Sequence, residues 1–199
     1  MARIHKDDID RYHDYDIHVP TRTVFIGSFV DGDGDEVGIN HQIAQRTIKN
    51  LHVLDSLSSD GDKPINVVLN SNGGDVLSGM AIYDKITQCK NHVTILGTGR
   101  IMSISAWIMQ AADHRVMTKN SRMMIHTGRM GLPEDHPEIN KKWMSQFIKD
   151  ESIFENILLE KIRIKKPNFT ASQVKKLMRF DTILTPDQAL DYNLIDEIV

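Results

Sequence analysis

Hydrophobic and polar positions along the chain follow first one period and then another, and this alternation predicts an α/β fold. Residues 39–57 carry apolar side chains on one side of a helix and polar ones on the other, which predicts an amphipathic surface helix. Residues 65–69 form a β-branched strand, and a turn-forming run at 70–74 separates it from a helix over about 76–88. The order then repeats, with a strand at 92–96, a turn at 97–99, a helix over about 103–112 and a strand at 122–126.

The last third of the chain is predicted to be mainly helical. Residues 131–138 contain two prolines and three acidic residues and therefore form a loop. Apolar positions from Ile139 onwards then mark one long helix that ends before Pro167. Thr170 and Thr185 are each followed three positions later by Gln, a capping pattern that predicts two short closing helices.

Length and composition are those of one compact domain. The 199 residues are 40% hydrophobic and 26% charged, which is ordinary for a globular protein. Residues 1–21 lack a helix or strand period, so we expect an irregular or adaptable N-terminal arm at 1–22 followed by a single domain at 23–199.

Charge and cysteine content exclude several classes of partner. A net charge of −3 offers no basic face for nucleic acid, and the single cysteine, Cys89, excludes an internal disulfide. The first residues are too polar for a signal peptide, and the longest apolar stretch, residues 106–109, is far shorter than the roughly 20 residues that cross a bilayer. We therefore expect a cytoplasmic protein without a nucleic-acid or membrane partner.

Several residues suggest nucleophilic chemistry. A serine hydroxyl becomes a good nucleophile when a histidine removes its proton and a carboxylate orients that histidine. Ser103 lies where a turn passes into a helix, His126 ends an apolar strand, and Asp181 lies between the two closing helices. Each also has an ordinary structural interpretation, because Ser103 and Asp181 could cap helices and His126 could be a hydrogen-bonded core residue.

Longer motifs resemble the Clp protease proteolytic subunit family along nearly the whole chain from residue 23 to 199. Residues 70–74 (Asn-Ser-Asn-Gly-Gly) are similar to the family's Asn-Ser-Pro-Gly-Gly loop, with Asn72 in place of proline. Residues 120–126 (Asn-Ser-Arg-Met-Met-Ile-His) match the family's histidine strand, and residues 184–196 resemble its closing helix and strand. The nucleophile motif departs from the family pattern, because Gly-Arg-Ile-Met-Ser-Ile-Ser-Ala at 99–106 stands where the family has Gly-x-Ala-Ala-Ser-x-Gly-Ala.

The resemblance implies a role for each matching residue. It implies that Ser103 is the nucleophile, His126 the general base and Asp181 the carboxylate that orients the base. Ser105 is the rival nucleophile, although it lies two residues further along the helix and so about 200° around it, on a different face from Ser103. The resemblance further implies an oxyanion site and a peptide-binding strand pair, formed by Gly74, Ile104, Asp75, Val76, Arg129, Met130 and Gly131.

The architecture that follows from the resemblance is a crotonase-like α/β fold. A head of stacked sheets would carry the site, and a long helix within a segment at about 129–166 would form a handle. Subunits would assemble into seven-membered rings, stacked in pairs around a chamber that receives unfolded polypeptides. No cofactor is expected, since ATP would be used only by a partner unfoldase. That unfoldase is expected to dock poorly, because Asn66, Val68 and Gln88 stand where the family has aromatic residues.

Two other functions and two metal sites fit the sequence less well than a peptidase without a bound metal. One is a catalytically silent ring subunit, and another is an acyl-CoA enzyme on the related crotonase scaffold; an intact Ser103, His126 and Asp181 disfavours both. A calcium loop at residues 31–35 is disfavoured because Glu36 stands where such a loop needs glycine, so a hairpin or solvent loop is the better interpretation. The nine histidines lack the close paired spacing of zinc ligands. No metal is expected.

Overall fold

The computed structural model describes residues 6–27, 29–30, 36–58, 63–129, 131 and 136–199. The strands are β1 Ile17–His18, β2 Thr23–Gly27, β3 Phe29–Val30, β4 Glu36–Val37, β5 Ile65–Ser71, β6 Val93–Met102, β7 His114–Met117, β8 Arg122–Ile125, β9 Thr182–Leu184 and β10 Glu197–Ile198. The helices are α1 Lys6–Tyr15, α2 His41–Ser56, α3 Val76–Thr87, α4 Ile104–Gln110, α5 Pro137–Lys165, α6 Ala171–Met178 and α7 Pro186–Asp191, with a short 3₁₀ turn at Val19–Thr21. The predicted α/β fold with one long helix is confirmed.

An eight-stranded sheet organises the molecule. Its strands follow the order β1-β2-β5-β6-β7-β10, and β8 branches from β6 to pair with β9. Strands β2, β5, β6 and β7 run parallel, as expected when helices connect them. Strand β6 pairs with β7 over residues 94–97 and with β8 over residues 100–102, so the sheet divides along this strand.

The turn predicted at 97–99 is wrong, because β6 continues through it to Met102. Two glycines close together normally signal a turn, but both halves of this strand find hydrogen-bonding partners in the sheet. Gly99 takes a positive φ of 57° and bends the strand where it changes partner. The bend directs the end of β6 towards β8 rather than β7.

The predicted helices are confirmed, and their caps explain where they begin. The Asn40 side chain caps α2 by accepting a hydrogen bond from the Ile43 amide. The Asp75 side chain caps α3 in the same way by accepting from the Ser78 amide. Thr170 and Thr185 each form the complete capping box expected from the sequence, with α6 and α7 behind them.

The prediction of an irregular N-terminal arm is wrong, because helix α1 occupies Lys6–Tyr15 and β1 pairs with β2. The helix is strongly polar on average, and contacts with the rest of the fold hold it in place. The Tyr12 ring packs edge-on against Phe25 at 4.7 Å between centroids. The Asn50 side chain of α2 is buried and donates a 2.6 Å hydrogen bond to the Tyr15 carbonyl.

The two halves of α5 have different surroundings. Towards its C-terminus it buries Phe154, which stacks on Trp107 with centroids 4.0 Å apart. Towards its N-terminus it exposes large apolar side chains, with Trp143 52% and Ile148 57% exposed. Burial therefore holds only the C-terminal part of this helix against the head.

Residues 31–35, the weak calcium-loop candidate, lie outside the described residues. Strands β3 and β4 on either side of them pair antiparallel, as in a hairpin.

Through the described parts of the chain, the structure has no helix long and apolar enough to cross a membrane.

Candidate active site

Ser103 occupies a sharp turn between β6 and α4. Its backbone has φ 55° and ψ −125°, a conformation that is costly for a residue with a side chain. The amide of Ser103 donates to the Met124 carbonyl at 2.8 Å, and its carbonyl accepts from the Ala106 amide at 2.9 Å. Fixed backbone bonds on both sides therefore hold the strained serine in place.

His126 lies directly beside this serine because β6 and β8 are parallel neighbours. Met102 pairs with Met124, so the two strands reach the same edge of the sheet together. The His126 Nε2 atom lies 2.9 Å from Ser103 Oγ, and the histidine side chain is 13% exposed. With its proton on Nδ1, the ring accepts the serine hydroxyl hydrogen at Nε2.

Asp181 is brought to the other side of the imidazole by an antiparallel pairing. Ile125 of β8 pairs with Thr182 of β9, which places the preceding Asp181 next to His126. The Asp181 Oδ1 atom lies 3.3 Å from His126 Nδ1, and its Oδ2 atom lies 3.3 Å from the Arg129 guanidinium. The structure thus brings together the three residues that the sequence singled out.

Ser105, the rival serine, has quite different surroundings. It is completely buried, and its Oγ has no hydrogen-bond partner among the described residues. Ser103 therefore has the histidine contact and the partial exposure that nucleophilic attack requires, and Ser105 has neither.

The glycine loop lies against Ser103 so closely that side chains do not fit. A Cβ on Gly73 would lie 2.7 Å from Ser103 Cβ, and Gly73 has a φ of 97°. A Cβ on Gly74 would lie 2.2 Å from the Ile39 carbonyl oxygen. Both glycines are therefore needed for close approach of backbone to the site.

Ile39 anchors this loop, and the sequence did not reveal its role. Its amide donates to the Gly73 carbonyl at 2.7 Å, and its carbonyl accepts from the Asp75 amide at 2.7 Å. Ile39 and Gly74 thus form a parallel β-bridge, in which Ile39 bonds to the residues before and after Gly74. The amide of Gly74 itself takes no part in this bridge. Ile104, the first residue of α4, likewise has an N–H without an acceptor within its helix.

The predicted peptide-binding residues have varied positions. Asp75 caps α3 and already uses its amide on Ile39, and Val76 is the first residue of that helix. Arg129 is 81% exposed and contacts Asp181. Gly131 is exposed, and a Cβ there would meet no atom of the described residues within 4 Å, whereas Met130 lies outside those residues. Their binding of substrate stays a prediction.

Comparisons with known proteins relate nearly the whole chain to one family. A family model described as Clp protease matches residues 20–199. An ATP-dependent Clp protease proteolytic subunit from Deinococcus radiodurans is 28% identical over 190 residues, covering 93% of this chain and 85% of the relative. The chloroplastic ATP-dependent Clp protease proteolytic subunit 3 from Arabidopsis thaliana is 29% identical over 182 residues, which are 89% of this chain and 53% of the relative. The solved structure of a mutant ClpP1 from Listeria monocytogenes is similar with a TM-score of 0.72 and 30% identity, covering 91% of this chain and 92% of that one.

Proposed function

The chain belongs to the Clp protease family, and from this premise we propose that it is a serine endopeptidase subunit that cleaves unfolded polypeptides. Ser103 is the nucleophile, His126 the general base and Asp181 the residue that orients the base. The observation that carries the proposal is the 2.9 Å separation of Ser103 Oγ and His126 Nε2 beside a strained serine backbone.

The reaction begins with proton transfer from Ser103 Oγ to His126 Nε2 as Oγ bonds to the peptide carbonyl carbon. Asp181 faces the opposite ring nitrogen and stabilises the imidazolium that forms. His126 then gives the proton to the leaving amine, which breaks the peptide bond and leaves an ester on Ser103. Water, activated by His126, hydrolyses that ester and restores the serine.

The developing oxyanion needs aimed N–H donors. The amides of Gly74 and Ile104 are suited to this, since one is left out of the Ile39 bridge and the other begins a helix next to Ser103. The backbone on either side of the site would pair with an extended substrate, which favours broad sequence preference. Peptide hydrolysis by this route requires no cofactor.

Assembly into seven-membered rings, stacked in pairs, is part of the same proposal. Several large apolar residues near the N-terminus of α5, including Trp143 and Ile148, are exposed in the single chain. An exposed apolar patch of this kind is typical of a surface that another subunit covers. An ATP-driven unfoldase would supply folded substrates. Weak docking of that partner is supported by Asn66, whose exposed amide donates to the Thr21 carbonyl in place of an aromatic anchor.

Labelling with a fluorophosphonate probe tests the nucleophile. The probe reacts with activated serines, and mass spectrometry of the labelled peptide identifies the residue. We expect modification of Ser103, loss of labelling in Ser103→Ala, and unchanged labelling in Ser105→Ala. A wild-type chain that is folded but does not react, or that reacts at Ser105, would refute the proposal.

A further inference from the structure

The segment that follows His126 lies against the long helix α5. The Gly128 amide donates a 2.7 Å hydrogen bond to Glu151 Oε1, a residue in the middle of that helix. A Cβ on Gly128 would lie 2.9 Å from the same oxygen and 3.2 Å from the Phe147 ring. A side chain at this position would therefore displace the Glu151 carboxylate or the Phe147 ring from the active-site segment.

Three separate contacts fix residues 127–129. The Thr127 amide donates to the Met178 carbonyl at the end of α6 at 2.7 Å. The Gly128 amide is held by Glu151, and the Arg129 guanidinium contacts Asp181. Because His126 immediately precedes this segment, the position of its backbone depends on these contacts.

The Glu151 carboxyl group is in an environment that does not favour its charge. Burial raises the pKa of Glu151, the nearby Glu155 carboxylate raises it as well, and the hydrogen bond from the Gly128 amide opposes both effects. Glu155 is partly compensated by Lys175 of α6 at 3.6 Å. Burying this carboxyl group lowers the stability of the fold. Its hydrogen bond is to the active-site segment, which indicates that the residue serves the site.

We propose that Glu151 is a positioning residue for the peptidase reaction. By accepting the Gly128 amide it fixes the segment 126–129, and so keeps His126 Nε2 within reach of Ser103 and Arg129 within reach of Asp181. It makes the geometry of the site depend on the position of α5. The inference rests on the proposed function, since it assigns Glu151 a role in the same chemistry.

Substitution at Glu151 tests the role through the hydrogen bond itself. Glu151→Ala removes the acceptor, and we expect kcat for an unstructured fluorogenic peptide to fall roughly tenfold with little change in KM, because a shift of the base acts on the chemical step. Glu151→Gln keeps an oxygen that accepts from Gly128, and we expect it to retain kcat within about threefold of the wild type. This rescue distinguishes positioning from a requirement for charge.

Two further variants guard against misinterpretation. Glu155→Gln changes a glutamate one turn along the same helix without touching Gly128, and we expect wild-type kcat. Gly128→Ala keeps the amide, but its Cβ would lie 2.9 Å from Glu151 Oε1 and so displace the accepting carboxylate, and we expect a fall in kcat in the same direction as in Glu151→Ala. If Glu151→Ala does not fold, as judged by its thermal melt, Gly128→Ala decides the matter.

The outcomes separate this inference from the proposed function. No peptidase activity and no fluorophosphonate labelling in the wild type would refute the proposed function. An active wild type together with full kcat in Glu151→Ala and Gly128→Ala would overturn the positioning role alone. Equal losses in the Gln and Ala variants of Glu151 would also overturn it, since the hydrogen bond would then not be what matters.

Discussion

Gly73→Ala should disable the site while leaving most of the fold intact. An alanine at φ 97° costs roughly 1–2 kcal/mol of backbone strain relative to glycine. Its Cβ would also lie 2.7 Å from Ser103 Cβ and 2.8 Å from the Met102 carbonyl oxygen. Ordinary carbon contacts begin at 3.4 Å, so the glycine loop and Ser103 must separate by about 0.7 Å.

Such a displacement acts directly on the contact between Ser103 and His126. Misplacement of a reacting group by about 1 Å costs on the order of 10²-fold in rate, so we expect kcat to fall by roughly 30–100-fold. The free energy of unfolding should fall by about 2–3 kcal/mol, as measured by urea denaturation. The assay is hydrolysis of a fluorogenic peptide at saturating substrate.

Gly27→Ala is the matched control. Among the described residues its Cβ would meet only the Asn70 carbonyl oxygen, at an ordinary 3.5 Å. We expect wild-type kcat and a change in unfolding free energy within about 1 kcal/mol, since alanine fits a strand at least as well as glycine. Wild-type kcat in Gly73→Ala, or equal losses in the two variants, would refute the argument from close approach.

Three other predictions concern separate parts of the molecule. Arg129→Ala should lower kcat severalfold, because an exposed guanidinium–carboxylate pair with Asp181 is worth about 1 kcal/mol or less; a change confined to KM would instead indicate a peptide-binding role. Burial favours a raised pKa for Asp196, but hydrogen bonds and charge from Arg115 lower it overall. The Asp196 carboxylate therefore stabilises the fold above its ordinary pKa near 4, and this stabilisation is lost as the pH falls through the lowered pKa. We expect Asp196→Asn to reduce the free energy of unfolding by about 3 kcal/mol in urea melts at neutral pH. The stability of the variant should also depend less on pH in the acid range. Sedimentation should find particles far larger than 22.7 kDa that dissociate in Trp143→Asp, whereas a monomeric, fully active wild type would contradict assembly.

Much of the site follows from local sequence because its residues lie at the ends of recognisable elements. Ser103 directly precedes a helix, His126 directly follows a strand, and the distinctive motif at residues 120–126 includes that strand. Parallel strands that share a sheet edge then bring these side chains together without further information. Thr170 and Thr185 show the same locality, since a capping box is complete within four residues.

What sequence patterns did not reveal depends on contacts between distant residues. Helix α1 is strongly polar on average and is held by Phe25 and by the Asn50 side-chain amide, and these distant contacts are not visible in its own residues. The apparent turn at 97–99 is a bend in β6, because strands on both sides complete its hydrogen bonds. Glu151 lies 23 positions from Gly128, and a glutamate on a long polar helix gives no sign that it faces a neighbouring segment.

Hydrolysis of an unstructured fluorogenic peptide by the assembled wild-type chain and by Ser103→Ala is the most direct test of the account. Mass spectrometry in the same experiment reports whether an acyl group accumulates on the serine. The account predicts cleavage by the wild type, an ester on Ser103, and a loss in kcat on the order of 10⁶-fold in the variant, because a nucleophile that acts as one unit with its base has no substitute. Cleavage by Ser103→Ala at the wild-type rate, without an ester on any serine, would contradict the central claim.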